Sequence, residues 1–137
     1  MNRHPYLRAY MAGVLLPSWM LLVFLALSIS GALPDALERA LIFPMAVVPN
    51  LWGAWNTLYM AIAPRRISLG VFGAALPLLL VPAGLGLAFV LDLRAYSGRH
   101  ALGLMPIAMA VYYLAWKYVV AFFNRVVGLN DAYQRRP

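Results

Sequence analysis

A chain of 137 residues in which 64% are hydrophobic and only 11% charged departs from soluble domains, where about 25% of residues are charged. A water-soluble domain of this size buries too small a fraction of its area to hide so much apolar surface, which excludes a soluble globular fold. The net charge of +7 comes from Lys and Arg scattered in pairs between apolar stretches, so no basic face tracks phosphates and nucleic acid is excluded as a partner.

The pattern predicts an all-α integral membrane protein, a four-transmembrane-helix up-down bundle forming a single domain over 1–137. The predicted spans are about 10–30, 41–63, 67–91 and 101–124, followed by a basic tail over 125–137. At about 1.5 Å per residue, a hydrocarbon core of about 30 Å needs roughly 20 apolar residues, and each stretch meets that length.

The basic head Arg3, His4, Arg8 precedes the first run, a pattern shared with signal peptides. The run exceeds the 7–15 residues typical of a signal core, so a retained helix is expected. Leu33-Pro34-Asp35 ends it, because proline steers its predecessor away from the α region. Asp35 is placed to cap the second helix, with Glu38 in the capping-box position. The short link Ala63-Pro64-Arg65-Arg66 makes the second and third helices antiparallel neighbours.

The third span is the slimmest. Gly70 with Ala74, and Gly84 with Ala88, stand at small-xxx-small spacing, and Gly73 lies between them. In lipid, close approach through small residues supplies the packing that water-driven burial cannot, so this helix is expected to be central. Prolines sit in every span, and the second and third carry pairs, Pro44/Pro49 and Pro77/Pro82. Each removes a backbone donor, and such pairs suit broken helices lining a site; ordinary membrane-helix proline explains them too. Gly13–Pro17 also resembles Gly73–Pro77, and Phe43–Ala46 resembles Met105–Ala108, which hints at a duplicated hairpin.

Cation placement sets the orientation. Arg3, Arg8, Arg65, Arg66, Lys117, Arg125, Arg135 and Arg136 fall on one side, against Arg39, Arg94 and Arg99 on the other. Both termini are therefore expected in the cytoplasm, in a multi-pass protein of a plasma or inner membrane. The bilayer, with its anionic headgroups, is an expected partner, together with a second copy or another membrane protein.

Lys117 is the one charge well inside a span, and it either snorkels to the headgroups or binds a ligand. Trp52, Asn56 and Tyr59 share one face of the second helix, and Tyr113, Lys117 and Asn124 share one face of the fourth. If the two faces meet they form a polar chamber, open to the cytoplasm, for a ligand or lipid. A plain interhelical hydrogen bond would equally satisfy Asn56. Asp35, Glu38, Asp92 and His100 show no metal spacing, and there is no nucleophile–base pair, phosphate loop or cysteine. No catalytic, metal or cofactor role is therefore expected. The leading expectation is a non-enzymatic protein acting by helix–helix association, as a homo-oligomer or accessory subunit. The alternative is a small transporter or ligand-binding bundle built around Asn56 and Lys117.

Overall fold

The computed structural model describes residues 4–32, 35–62, 66–90 and 98–129, and within them the side chains of 4–32, 47–62, 66–86 and 103–129. Every regular element among these residues is helical: α1 (Pro5–Ile29), α2 (Asp35–Ile62), α3 (Leu69–Ala74), α4 (Leu76–Val90), α5 (Gly98–Leu114), a π-helical stretch (Ala115–Val120) and α6 (Ala121–Val126). They form four rods, because α3 runs on into α4 and α5 passes through the π stretch into α6. Among the described residues, Pro5–Ile29, Leu69–Gly86 and Gly103–Val126 are long and apolar enough to cross a membrane. The rods overrun the predicted spans at the starts of the first, second and fourth and at the end of the fourth; α2 starts at Asp35, the expected cap, six residues ahead of the predicted span. Pro34, Pro64, Arg65, Asp92, Arg94 and the tail beyond Leu129 lie outside the described residues.

Two hairpins make up the fold. In the first, α1 buries Ala9, Ala12, Gly13 and Pro17, a face of small residues at helical spacing. A Cβ built on Gly13 would stand 2.6 Å from the Trp52 carbonyl oxygen and 2.9 Å from the Gly53 Cα, so the backbones of α1 and α2 touch there. Gly53 returns the contact: its missing side chain makes room for Tyr10 and Val14. In the second hairpin, α3 lies on α5 and the π stretch. A side chain on Gly73 would overlap Trp116, and one on Gly70 would come within 2.9 Å of the Tyr113 ring. The paired motifs Gly13–Pro17 and Gly73–Pro77 thus occupy corresponding places, each glycine against its partner helix and each proline fully buried.

Proline acts differently in the two predicted broken spans. The α2 rod runs continuously through Pro44 and Pro49. The third rod breaks at Ala75, whose N–H is shared between the carbonyls of Val71 and Phe72 at 3.3 Å each. Pro77 follows two residues later; it offers no N–H to Gly73, and its ring crowds that carbonyl, so the α ladder cannot pass. The third rod is also not central along its length. Pro82, Ala83, Gly84 and Gly86 are exposed, and nothing lies within 4 Å of a Cβ built on Gly84 or Gly86. Only its first half is enclosed, where Gly70, Phe72, Gly73, Leu76 and Pro77 are buried.

Candidate functional site

The chemistry-bearing side chains meet where α1, α2 and α6 converge. Asn56 is fully buried, and its amide nitrogen donates to the Ala9 carbonyl at 2.7 Å and to Asn124 Oδ1 at 2.8 Å. Asn124, 4% exposed, donates in return to Asn56 Oδ1 at 3.3 Å. An unpaired amide in an apolar interior costs several kcal/mol, roughly 2–7 by transfer measurements, and this arrangement avoids that penalty. Around the knot, the Tyr10 hydroxyl bonds to Asn50 Oδ1 at 2.5 Å, and Thr57 Oγ1 donates within its own helix to the Gly53 carbonyl at 2.9 Å.

Aromatic groups join the two hairpins on either side. Trp52 packs against Tyr112 and Trp116, with ring centroids 5.0 and 5.4 Å apart. Trp55 stacks on Phe72 at 4.7 Å, and its indole N–H donates to the Phe72 carbonyl at 2.9 Å. Tyr59 completes this seam, its ring against Phe72 and its hydroxyl donating to the Ile67 carbonyl at 3.1 Å. The indole N–H groups of Trp52 and Trp116 are the buried side-chain donors left without an acceptor among the described residues.

The six residues expected to form one chamber are therefore distributed. Asn56 and Asn124 meet directly. Trp52 sits beside them but faces Tyr112 rather than Tyr113, and Tyr59 belongs to the α2–α3 seam. Tyr113 is half-buried against Gly70, and Lys117 is exposed, its ammonium 5.4 Å from the Tyr113 ring centroid. The π stretch is the physical cause. Its wider turn carries more residues per revolution than the α-helix, so the regular spacing that aligns Tyr113, Lys117 and Asn124 fails across Ala115–Val120. Trp116, Val120 and Asn124 turn inward instead.

Of the expected packing residues, Gly70 and Gly73 lie in tight contacts and Ala74 is half-buried. Gly84 faces open space, and the side chain of Ala88 lies outside those described. The sequence does not single out the Ala9 carbonyl or Gly53, and it marks Gly13 only as part of a repeated motif. The small face of α1 is a legible signal for Ala9 and Gly13. Among the described residues no group of three His, Cys, Asp or Glu is placed to hold a metal ion. No protein family, curated protein or solved structure matches the chain.

Proposed function

We propose that the protein is a multi-pass membrane protein, spanning the bilayer four times with both ends in the cytoplasm, and that it acts by associating with a further transmembrane helix. Embedding is supported by inverted polarity: the Asn56 and Asn124 amides lie inside, while Trp19, Ile29, Leu79, Ile107 and Val126 face outward. Outward apolar side chains are stable where lipid replaces water. Orientation rests on the cation bias alone.

The observation that carries association is the contrast among glycines. Gly13, Gly53, Gly70 and Gly73 each admit a neighbour that a Cβ would strike, whereas a Cβ on Gly84, Gly86 or Gly103 meets nothing within 4 Å among the described residues. Glycine inside a helix costs about 1 kcal/mol relative to alanine, so it is retained where packing repays it. Gly84 stands at small-xxx-small spacing with Ala88 on α4, and a helix from a second copy or another subunit closes onto that face.

The chain lacks cysteine, so single-cysteine variants give the test. Arg66→Cys should label from the cytoplasm and Ser30→Cys from the opposite side. Ala83→Cys should cross-link in the membrane, and Gly84→Leu should lower the oligomer size of the purified protein. A wild-type chain that is monomeric in lipid, together with no cross-link from Ala83→Cys, removes the association reading.

One observation favours binding of a carbonyl-bearing ligand instead: the two buried indole donors of Trp52 and Trp116. That reading expects a stoichiometric small molecule to be recovered by solvent extraction of wild type and lost from Trp116→Phe. The transporter version built on Lys117 has less support, because that ammonium faces outward, away from Asn56.

A further inference from the structure

From Leu104 to Phe122 the outward face of the fourth rod is apolar except at Lys117. Ile107, Val111, Leu114, Tyr118 and Phe122 are exposed along it at helical spacing, and Lys117 stands exposed beside them. The Lys117 ammonium lies 5.4 Å from the ring centroids of both Tyr113 and Tyr118. A ring face attracts a cation within about 6 Å of its centroid, so the two rings hold the charge beside them. The stem is held too, since a Cβ at Gly70 would stand 3.1 Å from the Lys117 Cβ.

Gly70 also reports the depth of this lysine. It is the second residue of α3, and Arg66, Ile67 and Ser68 just before it are exposed. The Lys117 stem therefore lies level with the first turn of α3, while its own rod runs on to Val126, and the ammonium reaches toward that end by snorkelling. Arg66 brings a second exposed cation to that end. Among the described residues the ammonium lies against the rings of Tyr113 and Tyr118, and its exposure leaves it open to an anion from outside the bundle.

We propose that Lys117, flanked by Tyr113 and Tyr118, binds the phosphate of an anionic phospholipid, whose acyl chain lies along Leu114, Val111 and Ile107. The ammonium donates to phosphate oxygen, and the apolar strip continues from it in the direction an acyl chain takes. That strip is what selects a lipid over free phosphate. The assignment rests on the membrane reading above and adds a specific site to it.

The test uses the full chain in nanodiscs that mix phosphatidylcholine and phosphatidylglycerol, with retained lipids counted by native mass spectrometry. Wild type should retain phosphatidylglycerol in preference. Lys117→Met should lower that retention about fivefold, the effect of one cation at an anionic surface, and Lys117→Arg should preserve it. Arg125→Met, another cation on the same rod, serves as the control and should retain the preference. Inorganic phosphate added at millimolar levels should leave the lipid in place. Equal retention by Lys117→Met and wild type, or displacement by inorganic phosphate, overturns the site. A chain that never enters the discs defeats the membrane reading itself, so the two failures are distinct.

Discussion

Asn56 and Asn124, 68 positions apart in the chain, exchange two amide hydrogen bonds at 2.8 and 3.3 Å. The same Asn56 amide reaches the Ala9 carbonyl, so a single side chain ties the first, second and fourth rods together. Interhelical polar bonds in membranes average about 0.6 kcal/mol and reach about 1.7. Three such bonds at one buried point concentrate stabilisation where α1 and α6 otherwise touch little.

Removing the knot from either side should therefore be felt unequally. Asn56→Leu loses all three bonds and strands the buried Asn124 amide, for an expected destabilisation of about 1–3 kcal/mol. Asn124→Leu leaves the Asn56–Ala9 bond intact and should cost less. Unfolding in detergent micelles, run as a double-mutant cycle, should show a coupling of about 0.6–1.7 kcal/mol. Strict additivity of the two substitutions contradicts the pairing.

The glycines should separate by what they touch. Gly13→Ala drives a methyl into backbone atoms of Trp52 and Gly53, which cannot step aside. Gly53→Ala meets the side chains of Tyr10 and Val14, which can. Overpacking typically costs about 1–3 kcal/mol, against about 1 kcal/mol gained in helix propensity. Gly13→Ala should thus lower the melting temperature clearly and Gly53→Ala only slightly; the reverse order would refute the backbone contact between α1 and α2.

Gly73→Leu and Gly84→Leu make a second contrast. The first has to displace Trp116, and poor folding with low yield is expected. The second meets open space, so the monomer should fold normally while the assembly shrinks. Sedimentation of both variants in detergent distinguishes a fold defect from an association defect.

The π stretch should tolerate a deletion. A π bulge accommodates one residue more than an α turn, so removing Tyr118, which is exposed, should restore α geometry without rotating the flanking faces. Stability within about 1 kcal/mol of wild type is expected, whereas deleting Phe122, beyond the stretch, should rotate Asn124 away from Asn56. Amide exchange at Val120–Asn124 reads the difference.

Composition by itself determined that the chain is helical and apolar on its outside, because 64% hydrophobic residues in long runs leave no other way to satisfy the backbone. The approximate ends of the four rods and the candidacy of Asn56 were legible for the same reason, since turn signals and mid-span amides stand out against apolar sequence. Only the tertiary structure decided which glycines are contacts and which are open. Gly73 and Gly84 look alike in sequence, and what separates them is the neighbour across the gap. It also decided which way Lys117 faces. Helical spacing assumes one uniform turn, and a six-residue π stretch shifts the register between Tyr113 and Asn124, sending the lysine outward and Trp116 in.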